Sequence, residues 1–187
     1  MPGEILIGVS GGIAAFKTAA LVSDLVQSGM SVSVVMTRAA SKFVGPTTFR
    51  ALTGRPVFSH SFAKDSADRE LPLGPHIELA RQAQLLCIAP TTANLLAKAA
   101  HGMADDLLST LLLSFAGPVL LAPAMNCQMW AKPVVQRNLA QLREDGLQVI
   151  DPQEGWLSCR DQGKGRMAEP AEIKKAILSL LEKQGTR

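Results

Sequence analysis

Five apolar runs of strand length recur along the chain, at Ile5 to Val9, Val32 to Met36, Leu85 to Ala89, Val119 to Ala122 and Leu147 to Ile150. Segments with a helical pattern fill the gaps between them. Strands spaced by helices cannot pair through tight hairpins. The pattern therefore predicts βαβ units and a parallel sheet covered by helices on both faces.

The expected fold class is α/β: a doubly wound, Rossmann- or flavodoxin-like sheet in a single domain spanning 1–187. A chain of 187 residues with 47% hydrophobic content supplies one sizeable core and is too short for two ordinary ones. A net charge of +3, with Lys and Arg scattered, gives no electrostatic footprint for nucleic acid or membrane and points to a small anion as ligand. The first strand follows Met1 to Glu4 with no basic leader, so a cytoplasmic location is expected. Cys87, Cys127 and Cys159 are odd in number and lack paired spacing, which reads as free thiols in a reducing compartment and implies no metal. Leu107 to Met125 has the length of a membrane span, but Gly117-Pro118 splits it. A helix starting at Asp105 and Asp106 and ending at Gly117, followed by a buried strand, accounts for the same letters.

Two segments lack periodicity, Ser59 to Pro75 and Asp151 to Met167, and long aperiodic stretches of that kind are candidates for functional loops. The junction Gly8 to Ala15 after the first strand is made of small residues, which let backbone N–H groups at a helix start approach a phosphate. Its glycines do not follow the dinucleotide spacing, and the second strand ends in Met36-Thr37-Arg38 where an NAD site carries an acidic residue. Arg38 leaves NADP as an alternative. Hydroxyls gather at the strand ends instead (Ser10, Thr37, then Thr91 and Thr92 after Pro90), which suits a mononucleotide with a phosphate and a polyol. Asn126 falls just past the strand ending at Ala122. There it either faces a ligand or caps a helix expected over Gln128 to Leu142. A terminal helix is expected near Glu169 to Lys183.

Several of these segments resemble one family, the flavin-dependent cysteine decarboxylases. Pro123-Ala124-Met125-Asn126-Cys127-Gln128-Met129-Trp130 is similar to its substrate motif Pro-x-Met-Asn-x-x-Met-Trp. Gly8 to Ala15, Thr37 to Phe43 and Ala89 to Asn94 look like its FMN-binding segments, and Gly102 to Leu107 and the triplet Gly165-Arg166-Met167 extend the likeness. The resemblance implies FMN as cofactor, with Ser10, Gly11, Gly12, Ile13, Thr37, Phe43, Pro90, Thr91, Thr92 and Asn94 around it; Thr91 and Asn94 read equally as helix caps. It implies His76 as the active-site histidine and Asn126 on the substrate carboxylate. Met125 and Met129 form an apolar wall or plain core.

The likeness is strongest to the branch that acts on 4'-phosphopantothenoylcysteine (PPC) in coenzyme A biosynthesis. In that branch a flap, here residues 151–168, carries a cysteine that returns a proton, and Cys159 occupies the place. Peptidyl-cysteine decarboxylases stop at the enethiol and need no such donor; they are the alternative, together with a non-catalytic flavin-binding relative. The implied chemistry starts with oxidation of the CH2–SH carbon, because direct loss of CO2 from a cysteine amide leaves a carbanion with no electron sink. The family also implies a homotrimer or dodecamer with sites at subunit interfaces, and a separate synthetase that supplies the substrate. Two positions depart from the family pattern: Cys159-Arg160 replaces Cys-Gly, and Ala83-Gln84 replaces Ala-Asp.

Overall fold

The apolar runs lie side by side in one parallel sheet in the computed structural model, which describes residues 4–59 and 74–185. In chain order the elements are β1 (Glu4–Val9), α1 (Ala15–Gln27), β2 (Ser31–Met36), a 3-10 turn (Ala40–Lys42), α2 (Pro46–Thr53), β3 (Val57–Phe58), α3 (Pro75–Gln82), β4 (Ala83–Thr91), α4 (Ala93–Ala100), α5 (Leu107–Ser114), β5 (Val119–Pro123), α6 (Cys127–Trp130), α7 (Pro133–Glu144), β6 (Gln148–Val149), β7 (Gln153–Trp156), β8 (Gln162–Arg166) and α8 (Pro170–Gly185). The sheet runs β3-β2-β1-β4-β5-β6, and β7 with β8 forms a separate antiparallel ribbon.

Strand residues alternate between two cores, as the two-residue period of a strand dictates. Ile5, Ile7 and Val9 pack with Leu21 and Leu25 of α1, Phe49 of α2 and Ile173 and Ile177 of α8. Leu6, Leu86, Ile88 and Leu121 pack with Leu79 of α3, Leu95 and Leu96 of α4, Leu111 of α5 and Leu139 of α7. Because α1 covers one face and α4 the other, the chain leaves the adjacent strands β1 and β4 in opposite directions. That divergence opens a crevice at their carboxyl ends.

Local chemistry sets the helix boundaries. Asp106 caps α5 in a capping box with Ser109, which accounts for the acidic pair expected at this helix start. The helix stops at Ser114, short of Gly117, because Phe115 is already extended at ψ 121°. No described helix is long and apolar enough to cross a membrane. The single helix expected over Gln128 to Leu142 is two, α6 and α7. Pro133 has no N–H to continue the first, and Lys132 before it turns extended at ψ 131°.

Strand boundaries also differ from expectation. The last apolar run shrinks to the two-residue β6, β4 extends past Ala89 to Thr91, and β3 is too short for any periodicity to announce it. Residues 151–167, expected as an aperiodic loop, contain the β7–β8 ribbon. Gly155, Gly163 and Gly165 remove the side chains that would have shown its alternation. Most of the other aperiodic segment, residues 60–73 with His60, lies outside the described residues.

Candidate active site

A cavity of about 920 Å3 occupies the switch-point crevice. One wall is the β1–α1 junction with Thr37 to Ala39, a second is the start of α4 with Lys98 and Asp106, and the third is Ala124 to Asn126 with Met129. The ribbon covers it through Trp156 to Cys159 and Gly165 to Met167.

At the junction wall, Gly11 is required by close approach: a Cβ there would lie 2.3 Å from the Cβ of Ala39. Among the described residues nothing accepts from the N–H groups of Gly11, Gly12, Ile13 or Ala14, and Ala14 caps α1 without a side-chain bond. Four consecutive free donors at a helix start form a cradle for an anion. The nearby hydroxyls face inward instead. Ser10 Oγ donates to Pro90 O at 2.7 Å and accepts from Thr92 N at 3.0 Å. Thr91, fully buried, donates to Ile88 O at 2.7 Å, and Thr92 caps α4 by accepting from Leu95 N. Turning Ser10 to a ligand would orphan buried partners at about 1–3 kcal/mol each, so Ser10 acts as a stitch between β1, β4 and the start of α4, while Thr91 bonds within β4. Thr37 Oγ1 accepts from Ala40 N and keeps its own proton for a ligand.

Ser10, Gly11, Gly12, Ile13, Thr37, Thr92 and Asn94 thus line the cavity, whereas Pro90, Thr91 and Phe43 do not. Phe43 leaves the 3-10 turn half exposed. Capping in this region falls to Thr92 rather than to Thr91 or Asn94.

The third wall joins two distant segments. Asn126 Oδ1 accepts from Gln128 N at 2.8 Å and Met129 N at 3.4 Å, capping α6, while its Nδ2 lies 3.1 Å from Cys159 Sγ. Capping and presentation to the cavity therefore hold together in one side chain. Cys159 is exposed and its thiol also reaches Asp161 Oδ2 at 3.4 Å. The ribbon docks here because it lacks side chains where it touches. Met125 N donates to Gly165 O at 3.0 Å, and a Cβ on Gly165 would lie 2.2 Å from Met125 O. Lys164 Nζ stands 5.7 Å from the Trp130 ring centre, adding a cation–π contact. At the ribbon tip Arg160 N donates to Leu157 O and Leu157 N to Asp161 O, a three-residue hairpin loop whose last position is left-handed. Arg160 sits there at φ 66°, where the family pattern has glycine. Met125 is partly buried against the second core and Met129 is exposed, and both line the cavity.

The remaining charges form two compact sets. Lys98 Nζ lies 2.6 Å from Asp105 and 2.8 Å from Asp106. Burial pushes the Asp106 carboxyl up, but hydrogen bonds from Lys98 and from Ser109 N–H outweigh it and hold the group below its ordinary range. Lys17 and Arg166 converge on one oxygen of Glu169, at 2.9 and 2.6 Å, and the Lys17 hydrogen bond is the main cause of a lowered Glu169 pKa. Lys17, Phe16, Lys98 and Asp106 are lining residues that the sequence reading misses; of these only Asp106, within the Gly102 to Leu107 motif, carries a signal, while Trp156 falls inside the expected flap. Cys87 lies in β4, fully buried, with its thiol pushed up to about 12 by burial, as expected of an inert core residue. His76 stands in the first turn of α3, partly buried, and is outside the cavity lining of its own chain.

Fold and cavity together define a class: an α/β nucleotide-binding domain with a backbone cradle at one end and an Asn–Cys pair under a ribbon at the other. The family model for flavoproteins matches residues 2–182, and the chain belongs to that family. It is 46% identical over 172 residues to the coenzyme A biosynthesis bifunctional protein CoaBC of Bacillus subtilis, covering 92% of this chain and 41% of that protein. Its identity to the Mycobacterium bovis CoaBC is 44% over 183 residues, covering 98% of this chain and 42% of the relative. The chain thus spans about two fifths of the length of these curated relatives. Among solved structures, a PPC decarboxylase mutant complexed with pantothenoylaminoethenethiol matches with a TM-score of 0.84 at 31% identity, covering 97% of this chain and all of that one. The FMN-dependent cysteine decarboxylase SpaF matches with a TM-score of 0.82 at 34% identity, covering 97% and 96%.

Proposed function

We propose that this chain binds FMN and decarboxylates 4'-phosphopantothenoylcysteine to 4'-phosphopantetheine through a thioaldehyde and an enethiolate of the substrate. The observation that carries this reading is the 3.1 Å contact between Asn126 Nδ2 and Cys159 Sγ inside the cavity that also holds the glycine cradle. The residues fit FMN: the free N–H groups of 11–14 suit its phosphate, and Gly11 lets this junction pack directly against Ala39. FMN supplies the oxidation of the CH2–SH carbon and, once CO2 has left, the returning reducing equivalent.

The protein's residues orient the substrate and move protons. Asn126, pinned through Oδ1, presents Nδ2 as a fixed donor to the substrate carboxylate, and Met125 and Met129 wall the apolar part of the ligand. Cys159, on the residue 151–168 flap, delivers a proton as the enethiol is reduced to the saturated thiol. His76 takes the thiol proton in the cavity of a neighbouring copy, because it stands outside its own. A homotrimer or dodecamer provides that neighbour, and the half-exposed Ile13, Phe16 and Phe43 at and beside the cavity mouth are apolar surface for it to cover. An amide-forming synthetase supplies the substrate, and free thiols at Cys87, Cys127 and Cys159 suit a cytoplasmic setting.

The test is mass spectrometry of the purified protein with PPC, which should yield CO2 and 4'-phosphopantetheine. Release of the enethiol as end product would move the assignment to the peptidyl-cysteine decarboxylases, and unchanged substrate would end it. His76→Asn should retain FMN and lose turnover by more than about 100-fold, the scale of a missing general acid–base group. Full turnover in that variant would remove His76 from the chemistry.

A further inference from the structure

The cavity lining contains four cations, and three have carboxylate partners: Lys17 and Arg166 share Glu169, and Lys98 holds Asp105 and Asp106. Arg38 is the fourth. It is exposed, and among the described residues its guanidinium has no hydrogen bond or ion pair. Its backbone is fixed beside the cradle, since Thr37 N donates to Val9 O and Ala39 is so close to Gly11 that a Cβ on that glycine would meet it at 2.3 Å. The unpaired charge and the unpaired N–H groups of Gly11 to Ala14 therefore occupy adjoining segments of one wall.

That wall needs a charge. The N–H groups and the Thr37 hydroxyl are neutral donors, and the Ser10 hydroxyl is committed to Pro90 and Thr92. A phosphate monoester carries nearly two negative charges near neutral pH, and guanidinium matches its oxygens with two parallel donors. Resting on the FMN reading above, we infer that Arg38 binds the flavin's 5'-phosphate and is the residue by which this chain selects the phosphorylated flavin over riboflavin. The family-pattern position is Thr-x-Ala, so the selecting charge sits at a site the pattern leaves free. Arg38, which in the sequence leaves NADP as an alternative, here serves a mononucleotide.

The assignment is tested by titrating the full-length chain with FMN and, separately, with riboflavin, following flavin fluorescence, for the wild type, Arg38→Gln and Arg38→Lys. Arg38→Gln should weaken FMN by about 10- to 100-fold, the value of a charge-assisted hydrogen bond, and leave riboflavin within about twofold. Arg38→Lys keeps the charge and should recover part of the loss. Equal weakening of both flavins, no change in either, or no recovery with lysine would overturn the assignment. If the wild type binds FMN and only the Arg38 effect is missing, the FMN reading stands without it. If the wild type binds neither flavin but binds NADP, both fail.

Discussion

The two ends of the cavity are built by opposite means. At the cradle, most hydroxyls turn into the protein: Ser10 ties β1 to β4 and the start of α4, Thr91 bonds within β4 and Thr92 caps α4, so that backbone N–H groups, with Thr37 and Arg38 beside them, are left to meet the ligand. At the ribbon, side chains do the meeting, because Asn126 and Cys159 touch across a surface whose backbone fit depends on glycine. The cradle inherits its rigidity from fully buried strands, whereas the ribbon is anchored by Leu157, one backbone bond from Met125 and the Lys164–Trp130 contact. Damage at the cradle should therefore register as lost cofactor, and damage at the ribbon as lost chemistry on a protein that remains yellow.

Gly11→Ala should have the largest effect. Its Cβ has no room beside Ala39, the nearest contacts include backbone, and overpacking of this kind costs about 1–3 kcal/mol or more. Flavin content after purification is expected to fall to a small fraction of the wild type; full flavin loading would mean that the cradle is softer than the sheet beneath it. Gly165→Ala sharpens the contrast, because its clash is with Met125 O and displaces only the ribbon. Turnover should drop by about 10-fold or more, on the 1–3 kcal/mol scale of overpacking, while flavin content stays normal. Loss of flavin in that variant would erase the distinction between the two ends.

Arg160→Gly should have the smallest effect, and in the stabilising direction. A left-handed residue other than glycine costs about 1–2 kcal/mol, so the glycine should protect the amides of the ribbon tip from hydrogen exchange and alter turnover by less than about threefold. A large loss of turnover would give the Arg160 side chain a role beyond the turn it occupies.

How far the sequence discloses this molecule follows the same division. The sheet is legible because strands buried on both faces are predominantly apolar, and β1, β2, β4 and β5 announce themselves. The ribbon is not, since its docking depends on missing side chains and glycine carries no hydrophobic period. The break between α6 and α7 is written in Pro133, but the helical pattern on either side of it masks the signal. In the cavity, Gly8 to Ala15 and the Asn126 motif are visible as local runs. The inward turn of the hydroxyls is not, because the bonds from Ser10 to Pro90 and Thr92 cross about eighty residues. The same holds for Lys17 on Glu169 and for Asn126 on Cys159: chemistry that forms between distant segments leaves no spacing to read.

On the proposed reading, cradle and ribbon divide the reaction, with oxidation and CO2 loss needing the first and proton return needing the second. Cys159→Ser tests it most directly, because a hydroxyl keeps the size of the thiol and is a far weaker acid. Mixed anaerobically with one equivalent of PPC, this variant should lose the yellow absorbance of oxidised flavin in a single turnover and yield the enethiol with CO2, while the wild type yields 4'-phosphopantetheine and returns to its oxidised spectrum. A Cys159→Ser protein that makes 4'-phosphopantetheine at the wild-type rate, or one whose flavin never bleaches, would contradict the division.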